Sequence, residues 1–320
     1  MTWVLLLLLL LLADCGGSAP DTGAPPTDEM LQREMHAGQL AFELERNEEA
    51  AAQYRTALNR AQARDDADAI GDTGYDLAVA ELRANAPDKA LADARATRIE
   101  LERRGAKPFP ALLLAEATAL YRTGAAAEAD RAAQLIQRSE DADAVARATF
   151  LRGLIADNRG DEAGLATAAD ALTRAKTPPF DADSAELSAR LALLRSDPSR
   201  ARQQAARAAE LRQTTLDYRG LARALAIEGA AAERTGDKIA AADLFLRAGR
   251  SAAAQGDKGS ARAWLRRATY LAAGQPVGRA AADLLRGLNQ DDYRLRPCSR
   301  RKRTLRRPQP DRRPRLGPHR

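Results

Sequence analysis

Three features of the sequence predict an all-α protein. Hydrophobic residues make up 45% of the 320 residues but aromatic residues only 4%, and alanine supplies much of the apolar share. Alanine favours helices that approach closely through small side chains, whereas a sheet would require more β-branched and aromatic residues. The third feature is a Gly-Asp pair that recurs at Gly160, Gly236 and Gly256. A glycine at such a turn takes the left-handed conformation that ends a helix.

The residues around these turns follow a fixed spacing. Seven residues before each turn glycine lies another, namely Gly153, Gly229 and Gly249, and small or apolar residues follow the turn after five, nine and twelve residues. Small residues where two helices cross allow their backbones to approach closely. We therefore expect helical hairpins, with helices near residues 31–45, 48–63, 68–84, 87–104, 110–122, 125–138, 142–158, 161–175, 182–195, 198–213, 217–234, 238–254, 258–272 and 277–289.

This spacing resembles the tetratricopeptide (TPR) repeat, whose hairpins carry small residues at repeat positions 8 and 20 and an aromatic or apolar residue at position 24. The resemblance covers about residues 31–272 and includes weaker copies, such as the one containing Gly38 and Tyr54. Copies start about 36–40 residues apart rather than about 34, which we attribute to longer loops. The resemblance implies a right-handed α-solenoid of TPR-like helical hairpins, in which the position-24 side chain fills the gap against the next hairpin. A generic α-solenoid or an irregular helical bundle is the alternative.

In tetratricopeptide proteins the hairpins stack into a superhelix, and the first helix of each hairpin contributes to a concave face that binds peptides or helices. Arginine and aromatic residues are common anchors at such interfaces. The alternative for the aromatic residues is that their rings pack between hairpins. Transferred by register, the resemblance assigns the face to Tyr75, Leu82, Arg83, Tyr121, Arg122, Arg147, Phe150, Asp157, Asn158, Arg190 and Arg223. The same register adds Asp72, Val79, Leu114, Thr118, Leu154, Leu193, Glu233 and Arg234.

The N-terminus indicates export. Residues 3–13 form an apolar run of about eleven residues, which is typical of a signal peptide and shorter than the roughly 20 that span a bilayer. The following Leu12-Ala13-Asp14-Cys15 resembles a bacterial lipobox, although Asp14 departs from its small-residue pattern. The resemblance implies that Cys15 is lipidated and holds the chain in the cell envelope, at the outer membrane facing the periplasm. The alternative is an ordinary signal peptide that is cleaved near Gly17-Ser18-Ala19.

Four segments follow from these patterns: a signal peptide with lipobox at 1–15, a flexible tether at 16–30, the α-solenoid at 31–290 and a basic tail at 291–320. From Arg294 onward the chain carries twelve Lys or Arg residues and one acid, Asp311, so the rest is mildly acidic although the whole chain has a net charge of +6. We expect the tail to be disordered. It either binds a polyanion, which would suit a cytoplasmic TPR regulatory protein, or results from a shift in the coding frame.

No enzyme motif is present in the sequence. It lacks a P-loop, a nucleotide-binding glycine motif, a GxSxG elbow and an HExxH pair. Cys15, Cys298, His36 and His319 all lie away from the centre of the predicted solenoid. We therefore expect no catalytic residues, no cofactor and no metal site. The predicted function is a non-enzymatic scaffold or adaptor without a nucleic-acid partner. It would bind other envelope proteins in pilus or secretion assembly, outer-membrane assembly or a cell-wall enzyme complex.

Overall fold

The computed structural model describes residues 28–175 and 178–295. These residues contain fourteen α-helices, a short 3₁₀ turn at Pro178–Phe180 and no strand, which confirms the predicted all-α class. The helices are α1 (Glu29–Glu43), α2 (Asn47–Ala63), α3 (Ala67–Arg83), α4 (Pro87–Arg103), α5 (Pro110–Arg122), α6 (Ala126–Ile136), α7 (Ala142–Arg159), α8 (Glu162–Ala175), α9 (Asp181–Leu194), α10 (Pro198–Thr214), α11 (Tyr218–Arg234), α12 (Lys238–Ala254), α13 (Lys258–Leu271) and α14 (Pro276–Leu295).

The predicted helix bounds agree with the observed ones within two residues at every helix end except the last. The expected end of α14 is residue 289, but the helix continues to Leu295. The first residues of the predicted disordered tail are therefore helical. The reason lies in the sequence, because no glycine or proline follows Gly287 before Pro297 to interrupt the helix.

Most helices are joined by the same compact junction, in which the N–H after a left-handed residue closes the preceding helix. At one such junction Asp257 donates its N–H to the carbonyl of Ala252 at 3.0 Å, which is the Schellman arrangement. The carboxylate of Asp257 also caps the next helix by accepting the N–H of Ser260 at 3.1 Å. Left-handed residues lie at intervals of 20 residues at Glu45, Asp65, Asn85 and Gly105, and again at Ser196, Leu216, Gly236 and Gly256.

These junctions set the length of the repeat. The helices α2, α3, α4, α10, α11 and α12 each have 17 residues. Three residues separate most of them from the next helix, and the loop at 104–109 is the exception. One helix and its junction therefore take 20 residues. The wide spacing of the repeat copies comes mainly from long helices, and the attribution to longer loops is wrong.

The helices form two compact units, Met1–Phe180 and Asp181–Arg320. In the first unit each helix packs against the next one, and α3 also packs against α5 and α5 against α7. In the second unit each helix again packs against the next, and α9 also packs against α11 and α12 against α14. In these four pairs, helices that are separated by one helix in the sequence therefore lie side by side.

Glycines make room for the larger side chains inside the hairpins. A Cβ added to Gly38 would lie 2.7 Å from Cε1 of Tyr54, and one added to Gly229 would lie 3.3 Å from the ring of Phe245. These residues occupy positions 8 and 24 of one hairpin. The larger residue thus fills the space over the glycine of its own hairpin, whereas we expected it to fill the gap against the next hairpin.

Candidate functional site

The candidate site is an open cleft in the first unit, between α1 and α3. Its volume is about 620 Å³, which is within the range of pockets that hold a small ligand or a few side chains. Because α1 and α3 are the first helices of successive hairpins, the cleft opens on the face predicted to bind proteins. The cleft is lined by Leu31, Gln32, Met35, His36, Gln39, Phe42, Glu43, Tyr54, Ala69, Asp72, Thr73 and Asp76.

Apolar side chains form the floor of the cleft. Leu31, Met35 and Phe42 of α1 are half-buried and pack against the buried apolar cluster of the first two hairpins. Tyr54 of α2 belongs to this cluster and is 5% exposed. Its ring can lie under the cleft because Gly38 has no side chain to displace it. The floor therefore offers ring, thioether and aliphatic surface to an apolar group.

Acidic side chains of α3 form one wall. Asp72 and Asp76 lie one helical turn apart, and neither carboxylate forms an ion pair or hydrogen bond with a described residue. Burial and the charge of Asp72 raise the pKa of Asp76 to about 6. Burial, Asp76 and Glu43 together raise the pKa of Tyr54 to about 12. No described residue that lines the cleft is Lys or Arg, so the cleft has a negative potential.

The repeat register explains which side chains of α1 enter the cleft. With Gly38 at position 8, the face positions 2, 5, 9, 12 and 13 are occupied by residues that all line the cleft. They were not predicted, although Gly38 was sufficient to place them. On α3, the predicted face residue Asp72 also lines the cleft. The five residues of α1 are Gln32, Met35, Gln39, Phe42 and Glu43.

Four further predicted face residues lie on α3, and one of them, Val79, is half-buried. Tyr75 is half-buried, and its ring meets that of Phe109 edge-on, with centroids 5.8 Å apart. Leu82 packs against the same buried apolar cluster as Tyr75 and Phe109. Arg83 is exposed, and its guanidinium carbon lies 5.9 Å from the ring centroid of Phe42. Tyr75 and Leu82 therefore contribute to packing between hairpins, while Arg83 covers one end of the cleft.

Predicted face residues of α5 and α7 connect neighbouring helices. Arg122 donates to the carbonyl of Leu82 at 2.6 Å and also to the side chain of Asn85, so it caps the C-terminal end of α3. Asn158 donates its Nδ2–H to the hydroxyl of Tyr121 at 3.0 Å. These contacts join α3 to α5 and α5 to α7.

Leu114 and Thr118 of α5 are half-buried. Further predicted face residues of this unit lie on α7. The guanidinium carbon of Arg147 is 5.7 Å from the ring centroid of Phe180, and both Phe150 and Asp157 are half-buried. The predicted face residues that remain exposed in this unit are Asp72, Arg83, Arg147 and Asn158.

In the second unit two of the five predicted face residues, Arg190 and Arg223, are held by a buried carboxylate. Glu186 of α9 has no exposed surface, and it accepts hydrogen bonds from Arg190 at 2.9 Å and from Arg223 at 3.0 Å. Arg212 of α10 donates to the same carboxylate at 2.8 Å. Burial alone raises the pKa of Glu186, but the three guanidinium groups outweigh it and lower the pKa to about 2. This cluster joins α9, α10 and α11, and Glu186 was not predicted.

The described residues contain no group of three or more His, Cys, Asp or Glu side chains placed to hold a metal ion. In the same part of the chain, no helix is both long enough and apolar enough to cross a bilayer. Cys15, the predicted signal peptide and the basic tail from residue 296 lie outside the described residues.

Comparison with known proteins finds similarity in structure alone. No protein-family profile and no curated sequence matches the chain. A tetratricopeptide repeat protein from Parabacteroides merdae is similar with a TM-score of 0.47 and 14% identity, over 82% of this chain and 100% of that chain. The TPR2AB domain of yeast Sti1, in a pHSP90 complex, is similar with a TM-score of 0.31 and 16% identity, over 79% and 98%. At these TM-scores neither superposition transfers a residue or a partner to this chain.

Proposed function

We propose that this chain is a non-enzymatic scaffold that binds other proteins through the face formed by α1, α3, α5 and α7. The observation that carries the proposal is the direct packing of α3 against α5 and of α5 against α7. Because these helices are neighbours, exposed side chains from successive hairpins belong to one surface. That surface includes the cleft between α1 and α3, and it offers Arg83, Arg147 and Asn158 as exposed contact groups.

A photo-crosslinking experiment in the native host tests the proposal. A photoreactive amino acid would replace Arg83, Arg147 or Asn158 on the proposed face. Matched controls would carry it at Asn59, Arg131 or Thr167, which are exposed on the second helices of three hairpins. We expect crosslinks to a discrete protein from the first set and not from the second. Equal crosslinking from both sets, or none from either, would contradict the proposed face.

We further propose that the chain is anchored by lipid at Cys15 and acts in the bacterial cell envelope. The apolar run at residues 3–13 and the lipobox-like Leu12-Ala13-Asp14-Cys15 support this. Each buried methylene of an acyl chain contributes about 0.8 kcal/mol, and stable anchoring requires more than one chain.

The intact mass of the protein extracted from native membranes tests the anchor. We expect a chain that begins at residue 15 and carries added acyl groups. A chain that begins at Met1 without lipid would contradict the anchor but would leave the protein-binding face unaffected. The same spectrum shows whether the tail from residue 296 is made as written.

A further inference from the structure

The cleft between α1 and α3 combines an apolar floor with two acidic side chains that lack a basic partner among the described residues. These features indicate which chemical groups a bound partner would carry. Asp76 is half-buried beside Asp72, and neither has a cationic partner among the described residues. Separation from water makes an unpaired carboxylate unfavourable unless an opposite charge approaches it. The raised pKa of Asp76 reflects the same cost. A cation supplied by a ligand would remove this energetic cost.

We infer that this cleft binds an extended peptide segment of a partner protein in which an aliphatic side chain is flanked by Lys or Arg. The aliphatic group would lie on the floor formed by Met35, Phe42 and Tyr54, and the basic group would pair with Asp72 and Asp76. The inference rests on the proposed protein-binding function and adds the chemical class of the bound segment.

The distribution of charge at the cleft also orients the peptide. Arg83 covers the Phe42 end, where α1 and α3 both approach their C-terminal ends. Glu43 also lines that end, so its negative charge offsets the positive charge of Arg83 there. The two acids lie nearer the start of α3, where Ala69 and Leu31 complete the lining. One of the two basic residues of the peptide therefore belongs at the Asp72 end, with the aliphatic residue toward Phe42.

Fluorescence anisotropy with the full chain and three labelled peptides tests this inference. The probes are Ala-Lys-Leu-Arg-Ala, its acidic counterpart Ala-Glu-Leu-Glu-Ala and its polar counterpart Ala-Lys-Ser-Arg-Ala. We expect the first to bind at least tenfold more tightly than the other two, with an affinity that falls as salt is added. Equal binding of all three, or no binding of the first, would overturn the inference.

Two double variants distinguish peptide binding in the cleft from general electrostatic attraction. Asp72→Asn with Asp76→Asn should weaken binding of the basic peptide at least tenfold. The fold should persist because neither carboxylate forms an ion pair or hydrogen bond with a described residue. Asp143→Asn with Asp170→Asn removes the same charge from exposed positions on α7 and α8 and should leave affinity within twofold. Equal losses in both double variants would overturn the inference.

The chain's own basic tail is the competing occupant, and a truncation distinguishes it. Deletion of residues 296–320 should leave the affinity for the basic peptide unchanged if the cleft serves a partner protein. Peptide binding that emerges only after the deletion would assign the cleft to the tail and overturn the inference. Crosslinks at Asn158 without peptide binding would contradict the inference alone, and peptide binding without crosslinks on the proposed face would contradict the proposed function alone.

Discussion

Gly249 lies so close to Leu265 that a Cβ at residue 249 would be 2.7 Å from Cγ of the leucine. The two residues are sixteen apart in one hairpin formed by α12 and α13. The same spacing relates Gly38 to Tyr54 in the first hairpin. A residue without a side chain on the first helix thus determines how close the second helix can lie, and the larger residue above it fills the remaining space.

Gly249→Ala should therefore destabilise the protein, although alanine is the better helix former. The added methyl group must displace Leu265, and such overpacking costs about 1–3 kcal/mol. Gly287→Ala is the matched control in the same unit, because no heavy atom lies within 4 Å of its added Cβ. The control should stabilise by about 0.5–1 kcal/mol through helix propensity. Urea unfolding of both variants gives the two free energies, and a change of the same sign in both would contradict the packing relationship.

Removal of the Glu186 carboxylate in the second unit should lower the free energy of unfolding much more than loss of a surface ion pair. Glu186→Gln leaves Arg190, Arg212 and Arg223 without their shared counter-ion, and breaking a buried pair costs about 3–5 kcal/mol. Asp283→Asn removes an exposed pair with Arg286 and should change stability by less than about 1 kcal/mol. Chemical denaturation at pH 7 measures both. A loss below about 1 kcal/mol in Glu186→Gln would show that the cluster does not stabilise the unit.

Stability of the first unit should fall as pH rises through neutrality. Burial and contact with Asp93 raise the pKa of Glu81 from 4.5 to about 7, against the opposing charge of Arg55. Between about pH 4.5 and 7 the folded state therefore holds a proton that the unfolded state has released, so the stabilisation is complete at pH 4.5 and below. This stabilisation is lost as pH rises through about 7, and the free energy of unfolding falls by on the order of 2 kcal/mol.

Glu81→Gln should reduce this loss between pH 5 and pH 8, because glutamine does not titrate. Glu140→Gln is the control, since Glu140 is exposed in the loop before α7, and it should keep the wild-type pH dependence. Unfolding free energies at pH 5 and pH 8 measure the difference. An unchanged slope in Glu81→Gln would contradict the assignment to Glu81.

Leu216 is a strained residue whose replacement should stabilise the protein. It takes the left-handed conformation with φ of 56° and is 66% exposed, so little apolar contact is lost when its side chain is removed. Leu216→Gly should gain about 1 kcal/mol, because glycine adopts this conformation without steric cost. The reverse change at the equivalent junction, Gly236→Leu, should lose a similar amount. Thermal unfolding of both variants tests whether the two changes in stability have opposite signs.

The helices could be predicted because their signals are local. Alanine-rich runs and turn glycines such as Gly236 and Gly256 identify the ends of helices within two residues. The recurrence of the 20-residue interval along most of the chain was not predicted, because several of its left-handed residues, including Glu45 and Leu216, are not glycine. Only the hydrogen bonds of the junction show that these positions are equivalent.

The binding cleft was only partly predictable. The repeat register selected Asp72, which lines the cleft, and the same register would have supplied the residues of α1 from Gly38. The role of Glu186 could not be predicted, because it depends on the rotation of α9 relative to α10 and α11. Arg190 and Arg223 had the residue type of interface anchors, but the sequence does not show that they share a buried carboxylate.

Hydrogen exchange of the full chain, alone and with the protein captured by crosslinking at Asn158, tests the central claim most directly. The account predicts slower exchange on binding in α1, α3, α5 and α7, and no change in α2, α4 and α6. Protection confined to α2, α4 and α6, or to the second unit, would contradict the assignment of protein binding to the face that contains the cleft.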